Sequence, residues 1–486
     1  MSTSPALPAL LHPLVRAFLD TPGALTDALT RFDTPLHLLF PQVYLDNLTR
    51  LRAVPQRHRL PARIYYAHKV NHSRALLHTA HSAGIAVDVA SAQELAAARD
   101  AGFAASDIEV TGPKGRRLLR AVAGSGITVN VDNPWELGEL TALADPGAPA
   151  PVLLRLTGFR GPDGRRTVSR FGIGPDQVDD LLTLLADHRD RIVLRGFAFH
   201  LDTGDLGERV RAVQGCLHWI ERAHARGLTP DVIDIGGGFR QVFTADPDRF
   251  DHYTRTLRQS LLGHGEPMSW GANTFGYQLD GTGAHGIPVF HKYANTEPSH
   301  HMLDELLSTR LPEHGGQPLA RVLADNLLDL WCEPGKALLD HAGITVAGVE
   351  FVKQTVDGSM VVSVDIGRDT ITPADQEVMV DPLLLPGPDS GTPDGDGPIG
   401  VYIAGHLCLE RDLITNHKVW LPWQPRPGDL LVFPNTGAYH MDLSAARASQ
   451  HRLPPKVAVD YHDGFHLRPD SDYRPAPPVP ASARRP

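Results

Sequence analysis

Cysteine is scarce: the chain of 486 residues has three, Cys216, Cys332 and Cys408. An odd, sparse set without CxxC spacing excludes a disulfide framework or a zinc ribbon and fits reduced thiols in a cytoplasm. No run of about 18 apolar residues occurs, which leaves no candidate membrane-spanning helix. The first 20 residues lack a basic segment followed by an apolar one, so no secretory leader is expected. Positive charge is in deficit, with 46 Lys and Arg against 56 Asp and Glu and a net charge of -10. A nucleic-acid surface requires the opposite balance. The dinucleotide fingerprint GxGxxG is also missing, because Arg240 and Gln241 follow the glycines at 236–238.

What is present is alternation. At 486 residues the chain suits two domains. Its 42% apolar and 21% charged content fits a soluble globular enzyme. From about residue 34 to 333, short apolar runs alternate with amphipathic stretches. Strands are expected at 64–67, 85–89, 108–111, 127–131, 152–156, 196–200 and 232–235. A helix is expected over 73–83, and Ser91 to Glu94 reads as a capping box opening another. Such repeated strand–helix units predict a parallel sheet closed as a (β/α)8 TIM barrel over 36–335, with an open doubly wound sheet as the competitor. Beyond 336 the texture changes to short strands (346–352, 360–364, 401–404, 430–433) between Gly, Pro and Asp clusters, which predicts an all-β domain over 336–465. The Gly-, His- and Pro-rich stretch 263–318 reads as an insertion over the barrel mouth, and 466–486 as a disordered tail.

The polar residues that carry chemistry fall at strand ends, where barrels of this kind build active sites. Lys69, in Tyr66-Ala67-His68-Lys69-Val70-Asn71, can reach a cofactor aldehyde; Asp88 can orient it or simply cap a strand. His200 can lie flat against a ring or be an ordinary core histidine. Gly236, Gly237 and Gly238 let backbone amides approach a phosphate, though a glycine triad alone is more often a turn. Glu333, in Cys332-Glu333-Pro334-Gly335-Lys336, can hold a ring nitrogen protonated. Cys408 can be a functional thiol or a buried inert one, and Tyr439 a phosphate donor or a structural phenol. The histidines at 264, 285, 291, 300 and 301 show no ligand spacing with a supporting carboxylate set, so no metal centre is expected.

A lysine amine, a stacking histidine, a glycine bend, an acid, a thiol and a tyrosine in this order are what pyridoxal phosphate chemistry needs. The set resembles the fold-type III pyridoxal-phosphate decarboxylases, the family of diaminopimelate, ornithine and arginine decarboxylases, over about residues 30–465. That resemblance implies the alanine racemase-like fold, a barrel plus a C-terminal β-sandwich that residues 1–35 also join. It implies a homodimer with shared active sites, pyridoxal 5'-phosphate on Lys69, and decarboxylation of an α-amino acid through a Schiff base and a quinonoid intermediate. Cys408 then returns the proton to Cα, and Thr203, Gly335, Lys336 and Tyr439 join the glycines around the phosphate. Leu409, Glu410 and Asp412 are the expected substrate contacts. Three departures stand out: Asp202-Thr203 where the family has Gly-Ser, Lys336 where it has arginine, and Leu409 where an acid meets the distal ammonium of diaminopimelate or ornithine. The last points away from diaminopimelate itself. An amino-acid racemase or epimerase and a non-catalytic decarboxylase homologue are the competing readings.

Overall fold

The computed structural model describes residues 4–161, 164–244, 246–286, 295–371, 380–388 and 397–475. Two compact units share the chain. One comprises Met1–Asp46, Arg240–Pro298 and Leu339–Tyr473, the other Asn47–Phe239, Ser299–Leu338 and Arg474–Pro486.

The second unit is a closed parallel barrel of eight strands: Ala62–Ala67, Ala86–Val89, Ile108–Val110, Thr128–Val131, Ala150–Arg155, Ile192–Ala198, Val232–Asp234 and Asp329–Cys332. The expected barrel is therefore present, with seven expected strands and an eighth, Asp329–Cys332, pairing with both the first and the seventh. Helices alternate with the strands for local reasons. Ser73 caps Arg74–Ser82 by accepting from the Leu76 amide, and Ser91 caps Ala92–Asp100 by accepting from the Glu94 amide. The return half of the capping box lands one residue early, since Glu94 Oε2 accepts from the Ala90 amide at 2.7 Å.

Inside the barrel, Tyr65, Ala86, Leu153, Ala198, Val232 and Trp331 form an apolar cluster. Side chains two residues further along a strand share its face. Asp88, Asp234 and Glu333 thus follow Ala86, Val232 and Trp331 one step nearer the carboxyl ends of their strands. Apolar packing closes the barrel below, and a polar layer comes next.

In the first unit, among the described residues, nine strands form one branched sheet. Its long strand Gly343–Gln354 pairs antiparallel with Leu36–Leu39 and Leu430–Phe433, then, past a bulge between Val349 and Phe351, with Met360–Val364. Val362, Ile403, Ile414, Leu431 and Phe433 belong to its core. His37 and His440 are enclosed here, and burial lowers each imidazole to about 3.

Three boundaries differ from expectation. Leu36–Leu39 is a strand of this sheet, not of the barrel. The stretch 263–318 is no single insertion over the barrel mouth. Its start joins the strand-rich unit, whose middle segment opens at Arg240; there Phe250, Tyr253 and Leu257 of the helix Pro247–Leu261 pack with Leu7, Met268 and Trp420. Its end supplies the barrel helix Ser299–Ser308, which buries Met302, Leu303, Leu306 and Leu307. Finally, the expected disordered tail begins too early. Phe465–Pro469 pairs with Lys456–Tyr461, and the hydroxyl of buried Tyr473 donates to Asp460. Residues 476–486, like His291, lie outside the described residues. Among the described residues, no helix is long and apolar enough to cross a membrane.

Candidate active site

A cavity of about 250 Å³ opens among Lys69, Asn130, Arg155, Phe171, His200 and Glu333. Lys69 sits in the short turn His68–Val70 that ends the first barrel strand, and its Nζ donates to Asp88 Oδ2 at 3.1 Å. Asp88 is fully enclosed, and its other oxygen accepts from the Thr111 hydroxyl at 2.6 Å. The amine is thereby aimed by an acid that is itself held from the neighbouring strand.

The glycine bend follows the seventh strand. Gly236 and Gly238 take φ of +63° and +70°, and a Cβ on Gly237 would lie 2.6 Å from the Glu333 carbonyl oxygen. Only glycine fits this approach. Two of its amides are already engaged: Gly236 donates to Asp234 Oδ1 at 2.7 Å and Gly237 to His200 Nδ1 at 3.2 Å. Hence the bend also orients His200. Burial, with help from the Lys69, Arg155 and Arg209 charges, lowers His200 to about 3. The ring is neutral at physiological pH, with Nδ1 accepting and the proton on Nε2.

Sequence reasoning missed the residue that secures this bend. Arg209, on the helix Leu206–His224, is completely buried. It donates to the carbonyls of Leu201 (2.6 Å), Gly237 (2.8 Å), Gly238 (2.7 Å) and Ile235 (3.5 Å). Its partners up to 29 residues away leave no local signal in the sequence.

Glu333 is buried, and burial with the nearby Asp88 and Asp234 charges pushes its carboxyl well above the usual range. Glu109 and Asp234 accompany it, with carboxylate oxygens of the three within 4.8 Å of one another. Among the described residues, no histidine of 263–318 joins this group. Gly335 packs against Val70 and Ala67, where a Cβ would come within 3.2 Å of Val70. Lys336 Nζ donates to Asp202 Oδ1 at 3.0 Å, and the Thr203 hydroxyl oxygen accepts from the Asp205 amide. The barrel thus brings together Lys69, Asp88, His200, the glycines and Glu333.

Cys408, Leu409, Glu410, Asp412 and Tyr439 belong to the strand-rich unit. Cys408 is exposed, not a buried inert thiol, and with Leu409 and Glu410 it lines an open groove of about 1170 Å³. Asp412 is buried and structural: its carboxylate accepts from the amides of Leu407 and Arg368, both at 2.7 Å. It also lines the groove with Cys408, Leu409 and Glu410. Tyr439 takes a left-handed φ of +65° in the turn after Gly437.

A family profile described as "Pyridoxal-dependent decarboxylase, pyridoxal binding domain" matches residues 48–268. An uncharacterised protein, y4yA of Sinorhizobium fredii, is 33% identical over 460 residues, 93% of this chain and 94% of the relative. The chain belongs to the pyridoxal-dependent decarboxylases. A diaminopimelate decarboxylase of Actinosynnema pretiosum is 29% identical over 448 residues, 89% of this chain and 86% of that one. Among solved structures, the diaminopimelate decarboxylase from M. jannaschii in co-complex with L-lysine has a TM-score of 0.66 at 18% identity, covering 91% of each chain. The arginine decarboxylase of Paramecium bursaria Chlorella virus also reaches 0.66 at 18%, covering 90% of this chain and all of that one.

These decarboxylases use pyridoxal 5'-phosphate, and the residues present fit it. An amine stands at one side of the cavity, a buried acid and a neutral imidazole line it, and the bend beside them tolerates no Cβ.

Proposed function

We propose that this enzyme decarboxylates an α-amino acid other than diaminopimelate. The observation that carries the reading is the Lys69–Asp88 pair at 3.1 Å, opening on one cavity with His200 and Glu333. When bound there, pyridoxal phosphate supplies an electron sink for the pair left at Cα as carbon dioxide departs. Lys69 would hold the cofactor by its amine and give it up to the substrate amine. The uncharged His200 ring would meet the cofactor ring without repelling a protonated pyridine, and Glu333 would keep the proton on the ring nitrogen. Gly238, Thr203, Lys336 and Tyr439 bind the phosphate, with Lys336 contributing a point charge where a fork would be stronger.

Cys408 returns a proton to Cα from a second subunit, in a homodimer. Its exposure in an open groove with Phe351 and Leu409 supports that reading. Leu409, an exposed apolar side chain, offers no partner to a distal ammonium, which favours a substrate with a shorter or uncharged side chain.

The test is a panel of amino acids incubated with holoenzyme, reading carbon dioxide release and product chirality, with Lys69→Ala as control. Carbon dioxide from a subset of the panel is expected, and loss of the visible band of covalently held cofactor in the variant. A band retained in Lys69→Ala refutes the assignment, and substrate racemised without carbon dioxide moves the protein to the racemase reading.

A further inference from the structure

The roles above use Glu333 and leave two other enclosed acids without work. Glu109 and Asp234 are both fully buried, and with Glu333 they bring carboxylate oxygens within 4.8 Å of one another. Three like charges at that separation cannot all persist in a dry core. Lys69 Nζ forms an ion pair with Asp88 at 3.1 Å.

The donors that are present make the three acids unequal. Asn130 Nδ2 donates to Glu109 Oε1 at 2.9 Å and to Glu333 Oε1 at 3.4 Å, so one amide bridges the two. Its main chain is fixed in turn, because buried Lys114 donates from Nζ to the Asn130 carbonyl at 2.6 Å. Asp234 has the Gly236 amide on Oδ1, which favours its charged form. Glu333 feels the positive charges of Lys69 and Arg155. Glu109 accepts from Asn130, lies within hydrogen-bonding reach of Asp234, and sits beside Asp88 in strand register. Two carboxylate oxygens, Glu109 Oε2 and Asp234 Oδ2, are buried without a donor, as is the Asn130 amide oxygen.

We propose that Glu109 is a positioning residue: it carries a proton shared with Asp234 and, through Asn130, fixes Glu333 Oε1 so that the other oxygen is presented to the ring nitrogen. This rests on the reading of Glu333 as that nitrogen's partner. A proton between the two orphaned oxygens satisfies both at once and removes one of three charges. Asp88 faces Glu109 from the adjacent strand, Asp234 and Glu333 from across the barrel, and Tyr65 from the first strand. Burial first, then Asp234 and Glu333, push the Glu109 carboxyl well above its ordinary range.

Glu109→Gln and Glu109→Leu separate the possibilities. Glutamine mimics the protonated acid, with an oxygen for Asn130 and an N–H for Asp234; leucine keeps bulk and loses both. Infrared spectra of the apoproteins at neutral pH are expected to show one carboxylic-acid carbonyl band fewer in Glu109→Gln than in the natural chain. Pyridoxal phosphate titrations are expected to leave the glutamine variant within about twofold of the natural Kd and to weaken the leucine variant about tenfold, one orphaned buried group's worth. A band count unchanged by Glu109→Gln overturns the proposal, as does equal weakening in both variants. Stoichiometric metal in chelator-washed natural protein also overturns it, because a cation would then hold the acids together. If Glu109→Leu does not fold, the infrared comparison and the glutamine titration decide. A natural chain that binds no pyridoxal phosphate refutes the functional reading instead, while the infrared count still reports on the Glu109 proton.

Discussion

Replacing Arg209 by methionine isolates what holds the glycine bend. The substitution keeps an unbranched apolar stem of similar length and removes the donors to four carbonyls. The Leu201 and Gly238 bonds are only partly buried, so water can replace the arginine there. Those to Ile235 and Gly237 are enclosed and lose their donor outright. An orphaned buried group costs about 1–3 kcal/mol, which gives about 2–6 kcal/mol for the pair. The Ile235 bond is long at 3.5 Å, so about 3 kcal/mol is the working figure. For a unit of this size, that corresponds to a drop in melting temperature of about 6–12 °C. The bend also carries the His200 contact, so pyridoxal phosphate affinity should fall about tenfold or more, for each 1.4 kcal/mol of the loss felt at the site. Differential scanning fluorimetry of apoprotein and cofactor titration by absorbance give the two numbers, and Arg209→Lys should fall between. Unchanged melting together with unchanged affinity would falsify the view that this guanidinium shapes the bend.

Two further outcomes follow from charge. Asp202→Asn frees Lys336 from its 3.0 Å partner and should tighten cofactor binding about two- to fivefold, since a half-exposed pair is worth at most about 1 kcal/mol. Weaker binding in an apoprotein titration would instead make Asp202 an organiser of its loop. His440→Leu tests buried-histidine linkage. The unfolded chain takes up a proton near 6.5 and the folded one only near 3, so the natural protein loses stability as pH falls through that window. Relative to His440→Leu, it should lose about 2 kcal/mol between pH 6.5 and 5 in urea unfolding followed by tryptophan fluorescence. A gap constant across those pH values would show that the ring titrates alike in the folded and unfolded chain, against the effect of burial.

The barrel was legible because short, mostly apolar strands alternate with amphipathic helices, and Ser91 caps its helix as the spacing predicts. Asp329–Cys332 was harder, being four residues long and opening on an acid. The inner acids were legible only in part. Alternation in Ile108-Glu109-Val110 suggests a solvated glutamate, yet a barrel strand is enclosed on both faces, and Glu109 points into the core. Asn130 was hidden by the same rule. The strand Phe465–Pro469 was concealed by the Pro-rich composition that follows it, although it buries Leu467 between two exposed neighbours.

The sheet partner of Leu36–Leu39 has a temporal consequence. His37 lies in parallel register with Lys456, more than 400 residues downstream. At the usual pace of synthesis, roughly 20–80 s separate the emergence of these two strands from a ribosome. Throughout that interval one flank of Leu36–Leu39 has no native neighbour, and an unprotected β-edge is a template for the wrong chain. Nascent copies crowded on one message are therefore most exposed to mispairing at their amino-terminal ends, late into translation.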